Sequence, residues 1–294
     1  MRGRFERVLP LLAVLGSVVA LGIGTSFAKQ LFPVIGSLGT TALRVGFSAM
    51  LLMLIWRPWR WPLSRVDAKS ILRYGVALGF MNLMFYMSLR SIPFGLAVAI
   101  EFTGPLTVAL LSSRRRIDFV WLLLAIVGLA MLLPIDPGTA PLDPTGVLFA
   151  LGAAVCWGAY IVFGKRVGHL HAGQSVALGL TVAACAVVPI GVWHAGTALL
   201  DPSLLLYGVG VAAVSSAIPI SLEMVALKRL PKEAFGVMSS MEPAVAALLG
   251  LIVLDEHLSA LQWLAIALTM LAAAGSAFTA RRDTPASSAS EVVT

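Results

Sequence analysis

Charged residues are scarce in this sequence, making up 12% of its 294 amino acids. A soluble domain carries roughly 25% charged residues, so the composition argues against a soluble protein. Hydrophobic residues account for 59% of the chain. Apolar runs of about 20 residues recur from end to end, and each can cross the roughly 30 Å hydrocarbon core of a bilayer. The composition therefore predicts an integral membrane protein.

Cysteines, metal ligands and nucleotide-binding motifs are also sparse or absent. The two cysteines, Cys156 and Cys185, lie deep in apolar runs without CxxC spacing, and we expect both to be small buried core residues. The four histidines have no accompanying set of acidic or cysteine ligands. The sequence contains no P-loop, HExxH or nucleophile-elbow motif. We therefore expect no metal, no cofactor and no enzymatic activity.

The distribution of basic residues predicts a membrane topology. The net charge is +7, but the basic residues lie in short clusters between apolar runs and form no aromatic-rich patch for nucleic acid. Division of the chain at charged residues, Pro and Gly predicts ten transmembrane helices. All but three of the 21 Lys and Arg residues then fall on one side; Lys29 and Arg90 lie on the other side, and Arg44 lies within a helix. The positive-inside rule predicts that both termini are cytoplasmic. The predicted helices lie near 9–28, 38–56, 71–89, 95–112, 118–134, 145–164, 173–193, 203–227, 234–254 and 259–280.

The two halves of the chain resemble each other. The matching segments are SLRSIPFGLAVAIEFTGPLTVALL (88–111) with ALKRLPKEAFGVMSSMEPAVAALL (226–249), and LAVLGSVVALGIGTSFAK (12–29) with LFALGAAVCWGAYIVFGK (148–165). The aligned pairs include Pro93 and Pro231, Pro105 and Pro243, and Lys29 and Lys165. Because the first helix has a counterpart in the second half, we expect it to be retained rather than cleaved as a signal peptide.

The repeat is expected to be inverted. Each half holds five predicted helices, and an odd number makes the second half enter the membrane from the opposite side. Inverted halves are an architecture of secondary transporters, with the binding site near the midplane between them. We predict a first five-helix repeat at 1–140, a second at 141–282 and a disordered tail at 283–294.

Four ionisable residues lie within the predicted helices, namely Arg44, Glu101, Glu223 and Glu242. Each would cost on the order of 2.5–3.5 kcal/mol at a lipid-facing helix centre, so we expect them to face protein or water. At a rise of about 1.5 Å per residue, Arg44 and Glu101 both lie about 9 Å from the non-cytoplasmic surface, where they can pair or share a ligand. The repeat does not duplicate these charges, which favours a ligand or proton role for some of them.

Other polar and aromatic residues are candidates for the wall of a binding site. Asn82 and Tyr86 share one face of the third predicted helix at i, i+4 spacing. Trp157 and Tyr160 are three residues apart on the sixth. Packing between helices is the alternative interpretation for each of these four residues.

The whole pattern resembles a known family. Ten helices in two halves, together with SMEPAVAALLGLIVLDEHLSALQWLAIALTMLAAAG in the second half, are similar to EamA-domain members of the drug/metabolite transporter superfamily. The strings AVAIEFTGPLTVALLSSRRRIDFVW, SLEMVALKRLP and SMEPAVAALLG resemble the threonine/homoserine exporters of the RhtA type. The resemblance implies a lipid-embedded inner-membrane exporter of small amino acids that exchanges its substrate for protons.

Our hypothesis for the mechanism is that a neutral, zwitterionic amino acid binds with its carboxylate on Arg44 and its ammonium group on Glu101. If Arg44 instead pairs with Glu101, then Glu223 or Glu242 is the better proton carrier. The alternatives are a broader metabolite or drug exporter of the same superfamily, a membrane enzyme, and a scaffold without transport activity.

Overall fold

Most of the described residues are helical, and none of them lies in a β-strand. The computed structural model describes residues 2–112, 116–131, 142–220, 222, 235 and 238–280. The helices are α1 (Arg2–Lys29), α2 (Phe32–Trp56), α3 (Arg65–Ser88), α4 (Phe94–Glu101), α5 (Thr103–Ser112), α6 (Arg116–Ala130), α7 (Pro144–Val167), α8 (Ala172–Ala195), α9 (Pro202–Ala212), α10 (Glu242–Leu254) and α11 (Ala260–Ala280). Short 3₁₀ helices lie at Pro58–Arg60 and Gly196–Leu200, and a π-helical turn lies at Ala213–Ala217.

The prediction of an all-helical membrane protein is confirmed. Within the described ranges, six helical segments are long and apolar enough to cross a membrane: Pro10–Lys29, Phe32–Trp56, Pro144–Val167, Ala172–Leu200, Pro202–Ile220 and Ala260–Thr279. Shorter apolar helices cover Phe94–Val108, Phe119–Ala130 and Glu242–Leu254. Helix α3 is long enough but less apolar, since it includes Arg73 and Asn82. The count of ten and the inversion of the halves stay predictions, and the predicted tail lies outside the described residues.

Local sequence signals explain several helix starts. Asp143 caps α7 by accepting a hydrogen bond from the Thr145 N–H at 3.0 Å, and Asp201 caps α9 by accepting one from the Ser203 N–H at 2.8 Å. A proline follows each of these aspartates, and its fixed φ suits the first helical position, where a missing N–H costs nothing. The pair Asp-Pro therefore sets where both helices begin.

Prolines also accompany interruptions in two of the predicted helices, 95–112 and 234–254. The predicted span 95–112 is divided into α4 and α5, with Phe102 between them. Pro105 lacks the N–H that would bond to the Glu101 carbonyl, so the helical ladder is broken there. A second break, at Ser240, precedes Pro243 near the start of α10. The prediction of one unbroken helix at 95–112 is wrong for this reason.

The chain alternates between two ends of the bundle. One, called the Lys29 end, carries the C-terminus of α1 and the start of α4; the other, called the Trp56 end, carries the C-terminus of α2 and the start of α8. Helix α2 packs on α8, α3 packs on α7, and α6 packs on α11. Close packing depends on small residues: a Cβ on Gly104 of α5 would overlap the backbone of Ala154 on α7.

The cysteines are not buried core residues. Cys185 is exposed on the outside of the bundle, and Cys156 is half-buried. An apolar side chain is as stable against lipid as inside the protein. An apolar run in a membrane protein therefore does not show which of its residues are buried between helices and which face the lipid. The prediction for these two residues is therefore wrong.

Candidate functional site

A cavity of about 230 Å³, called the central cavity, lies inside the helix bundle. It brings together side chains from helices far apart in sequence, including α2, α4 and α10. Six of the eight residues predicted for the site line it: Arg44, Asn82, Glu101, Trp157, Tyr160 and Glu242. Glu223 lies outside the described residues, so its role stays a prediction.

The guanidinium of Arg44 is held in a fixed orientation. Its Nη1 donates a hydrogen bond to Asn82 Oδ1 at 2.5 Å, and its Nε donates to Ser215 Oγ at 3.0 Å. Asn82 is oriented in turn, since its Nδ2 donates to the Leu78 carbonyl at 2.8 Å. The guanidinium also lies over the ring of Tyr86, 5.3 Å from the centroid. These contacts leave terminal N–H groups that can grip an anion in the cavity.

Ser215 is a site residue that the sequence reasoning missed. It lies in the π-helical turn Ala213–Ala217, a local widening that is frequent at functional sites. Pro219 has no N–H to bond to the Ser215 carbonyl, and Nη2 of Arg44 lies 3.5 Å from that oxygen. Gly24 allows α1 to approach, because a Cβ there would lie 2.6 Å from Ser215 Cβ. A buried serine pair just before Pro219 was the signal that could have revealed this turn.

Two carboxylates share the cavity with Arg44. Glu101 is buried, with 7% of its surface exposed, and lies at the C-terminal end of α4. It lies within electrostatic range of both Arg44 and Glu242. Glu242 begins α10, directly after the break at Ser240. Arg44 donates to Asn82 and Ser215 rather than to Glu101, so the acid is not neutralised by a direct ion pair with the guanidinium in this conformation.

Of the three aromatic candidates, two line the cavity and one lies behind Arg44. Tyr86 does not line the cavity; it is fully buried behind Arg44, with Phe32 6.0 Å away between ring centroids. Trp157 lines the wall and packs edge-on against Phe102. Tyr160 accepts a hydrogen bond from the Tyr74 hydroxyl at 3.2 Å. Tyr86 therefore supports the site, whereas Trp157 and Tyr160 can touch a ligand.

A second cavity of about 390 Å³, called the vestibule, adjoins the central cavity. The two share Arg44, Asn82 and Tyr160 as wall residues. The vestibule extends to Trp56 and Gly173 at the Trp56 end of the bundle. The vestibule therefore extends from the shared wall of the site towards that end. Among the described residues, no cluster of His, Cys, Asp and Glu side chains is arranged to hold a metal ion.

Comparison with known proteins decides the family. Residues 144–278 match the EamA-like transporter family. The threonine/homoserine exporter RhtA of Escherichia coli strain K12 is 46% identical over 275 residues, which cover 94% of this chain and 93% of that protein. The chain belongs to the EamA-like transporter family. The RhtA protein of Salmonella typhimurium strain LT2 matches this EamA-like chain equally well, with 46% identity over the same shares of both chains.

More distant similarities agree with this assignment. The uncharacterized transporter YwfM of Bacillus subtilis is 28% identical to this EamA-like chain, covering 79% of it and 81% of the relative. A solved crystal structure aligns with a TM-score of 0.60 at 19% identity, covering 93% of this chain and 98% of the other, and shows the same fold. This EamA-like protein is a multi-pass transporter of a bacterial inner membrane, not an enzyme.

Proposed function

We propose that the protein is a secondary-active exporter of small neutral amino acids of the threonine and homoserine type. The observation that carries this proposal is the convergence of one arginine and two glutamates, Arg44, Glu101 and Glu242, in a single buried cavity. The relatives at 46% identity are named as threonine/homoserine exporters.

The charges in the cavity match the charges of a zwitterion. The fork of Arg44, already oriented by Asn82 and Ser215, suits a substrate carboxylate because its planar N–H groups can bind both oxygens. Glu101 supplies the negative charge for the substrate ammonium group. Because Glu101 is not in an ion pair with Arg44, both groups are able to contact the substrate at once. A Thr or homoserine side chain is short enough to remain within the same cavity.

Glu242 is the proposed proton carrier among the described residues. It lines the same cavity as Glu101, so a proton on one carboxylate affects the other through the like-charge repulsion between them. Substrate and proton can then occupy the site in alternation, because the ammonium group and the proton compete for the same negative charge. Glu223 stays a second candidate from the sequence.

Alternating access would arise from the two similar halves. In the internal alignment α1 corresponds to α7, and α4 with α5 corresponds to α10. Helix α1 packs on α10, and its counterpart α7 packs on α4 and α5. In the same way α3 packs on α7, and the π-helical turn, which lies in the counterpart of α3, packs on α1. The helix breaks at Phe102 and Ser240 fall three residues before the aligned prolines, Pro105 and Pro243. These matching contacts and breaks support the inverted arrangement. With both termini in the cytoplasm, the Trp56 end and the vestibule face the cytoplasm.

Counterflow in proteoliposomes tests the function. Vesicles loaded with unlabelled threonine should accumulate labelled threonine or homoserine, and Glu101→Gln should lower the initial rate at least about tenfold, because a charge-assisted contact to the ammonium group, worth roughly 1.5–3 kcal/mol, is lost. Asp255→Asn removes an exposed carboxylate elsewhere and should leave the rate unchanged.

The same assay separates the alternatives. Competition by a panel of amino acids and cationic dyes distinguishes an amino acid exporter from a broader exporter. In an amino acid exporter, threonine-like zwitterions reduce counterflow and the dyes do not; in a broader exporter, both reduce it. Wild-type counterflow by Glu101→Gln would rule out the binding role of Glu101. A wild-type protein that moves none of these solutes would contradict the proposed substrate class.

A further inference from the structure

A single carboxylate ties three segments together at the Lys29 end. Oε1 of Glu256 accepts a hydrogen bond from Lys29 Nζ at 2.5 Å, and Oε2 accepts one from the Phe94 N–H at 2.7 Å. Lys29 is the last residue of α1, Phe94 is the first residue of α4, and Glu256 follows the C-terminus of α10. The contact therefore joins two helices of the first half to the end of a helix from the second half.

The geometry around Glu256 is adapted to this contact. Its side chain is 14% exposed and that of Lys29 is 20% exposed, so the pair is shielded from most of the solvent and screened less than a surface pair. The Glu256 N–H donates to the Gly250 carbonyl at 3.0 Å. A Cβ on Gly250 would lie 2.6 Å from Glu256 Oε2. A glycine at this position thus leaves room for the carboxylate to reach both partners.

Aromatic rings lie directly below this contact and cover the central cavity. Phe94 is 6.4 Å from Phe85 between ring centroids, and Phe85 is 5.8 Å from Tyr86. Phe85 and Phe94 line the cavity. Leu249 and Leu254 of α10 pack in the same apolar cluster as these rings. Aromatic rings of α3 and α4 therefore line the cavity towards the Lys29 end, and Glu256 ties one of these two helices, α4, to α1 and to the end of α10.

The opposite end differs. The vestibule connects the central cavity with Trp56 and Gly173 there. Lys165, the counterpart of Lys29 in the internal repeat, lies near that end and is exposed. The two lysines thus have different surroundings although they correspond in sequence, so the two ends of the bundle are not equivalent in this conformation.

We propose that Glu256 is the latch of a gate at the Lys29 end, which keeps the central cavity closed to that side until the latch is released. The latch rests on the proposed function, since only an alternating-access carrier needs such a gate. In the closed state Glu256 holds α1 and α4 against α10. When α10 moves away, the ion pair and the bond to the Phe94 N–H break together, Leu249 and Leu254 withdraw from the aromatic rings, and the site opens to the side facing away from the cytoplasm.

Thiol labelling from the Lys29 side tests the gate without any substrate. Cys156 and Cys185 are replaced by Ala, and Val98→Cys places one reporter on the wall of the central cavity. A membrane-impermeant thiol reagent is then added to the outside of intact cells. Glu256→Gln and Lys29→Met should each accelerate labelling of the reporter at least about fivefold over the parent, the lower end of the usual range for coupled conformational equilibria.

Matched controls separate the latch from a general change of charge or fold. Asp255→Asn alters the adjacent carboxylate, which is 95% exposed and lies 3.3 Å from His257, and should leave labelling unchanged. Gly250→Ala keeps both charges but displaces the carboxylate, and should accelerate labelling as Glu256→Gln does. Labelling of the same reporter in inverted vesicles shows that each variant is inserted and folded.

The outcomes are distinct. Equal labelling rates in the parent and in folded Glu256→Gln and Gly250→Ala variants would overturn the latch. If these variants label faster while the parent moves no amino acid in counterflow, the gate stands and the proposed substrate is wrong. If counterflow works and labelling does not respond to either variant, the proposed function stands and the latch is wrong.

Discussion

At the scale of single residues, the central feature is an arginine that is oriented before any ligand arrives. Arg44 donates to Asn82 and Ser215 and lies over Tyr86. An unpaired arginine inside a membrane protein would be costly, so these neighbours both stabilise the charge and fix its direction. A site that is already ordered loses less conformational entropy on binding, and this favours affinity for a small substrate.

Asn82→Ala should weaken substrate binding more than it changes turnover. The variant removes the acceptor of the Arg44 Nη1 hydrogen bond, so the guanidinium is no longer held towards the cavity. Loss of a hydrogen bond to a charged group, roughly 1.5–3 kcal/mol, corresponds to a rise in the KM for threonine of about tenfold or more. The measurement is the concentration dependence of threonine counterflow.

The control for Asn82 is a neighbouring polar contact that does not involve Arg44. Ser48 Oγ donates to Ser216 Oγ at 2.7 Å beside the same turn. Ser216→Ala removes this bond and should leave the KM for threonine nearly unchanged, because the bond joins Ser48 and Ser216 and does not orient Arg44. A KM for Asn82→Ala equal to that of the wild-type protein would show that Arg44 needs no positioning by this amide.

At the scale of secondary-structure elements, interrupted helices create the site. The break at Phe102 ends α4 immediately after Glu101, and the break at Ser240 ends just before Glu242. The π-helical turn Ala213–Ala217 presents Ser215 to Arg44. Irregular backbone at membrane depth is tolerated where it lines a cavity rather than lipid. The elements that depart from regular helix are therefore the ones that carry polar groups to the centre.

Helix capping at the Lys29 end predicts a pH-dependent stability. The Ser91 hydroxyl and the Thr145 N–H hold the pKa of the Asp143 carboxyl below its usual value of 3.8. Because the folded pKa is lowered, the stabilising effect is present at pH values above about 4 and is lost as the pH falls through the folded pKa. Asp143→Ala should lower the Tm of the purified protein at neutral pH, with a smaller difference near pH 3.

Thermal unfolding in detergent across this pH range measures the effect. Thr145 remains in place in the variant, so any change reports on the capping carboxylate and not on the helix sequence that follows. Asp143→Asn retains a capping oxygen without the charge and should fall between the wild-type protein and Asp143→Ala at neutral pH. A Tm difference between Asp143→Ala and wild type that grows as the pH is lowered would contradict the assignment.

At the scale of the whole molecule, the proposed alternating-access cycle would connect the cavity with each end of the bundle in turn. The vestibule shares wall residues with the cavity and reaches towards the Trp56 end, whereas Phe85 and Phe94 line the cavity towards the Lys29 end. This asymmetry fits a conformation that collects substrate from the cytoplasm. The proposed exchange against protons would require a carboxylate that is protonated when the cavity opens to the other side.

Glu242→Gln should separate exchange from proton coupling. Without a titrating carboxyl at this position, threonine counterflow should persist within a few-fold of wild type, because counterflow needs no net proton movement. Uptake or efflux driven by an imposed pH gradient should be lost. The measurement compares both assays in the same proteoliposomes; a Glu242→Gln variant that responds fully to the gradient would exclude this residue as the proton carrier.

Much of the architecture could be predicted from the sequence because hydropathy and helix boundaries are local properties. Adjacent residues are enough to recognise the apolar runs, the Asp-Pro starts of α7 and α9, and the ionisable candidates within apolar runs, Arg44, Glu101 and Glu242. The break in 95–112 and the exposure of Cys185 were not predicted. The first depends on how a proline is accommodated by neighbouring helices, and the second on which helix face meets lipid.

The sequence by itself determined that the chain is a helical membrane protein, because apolar runs of about 20 residues match the length of membrane-spanning helices, which satisfy their backbone hydrogen bonds internally. Its resemblance to the EamA-like family rests on particular strings such as SMEPAVAALLG. Only the tertiary structure decided that Arg44 is held by Asn82 and Ser215, that Tyr86 lies behind it rather than on the wall, and that Glu256 reaches Lys29. These contacts join residues far apart in the chain. They depend on how whole helices pack, which no local pattern encodes.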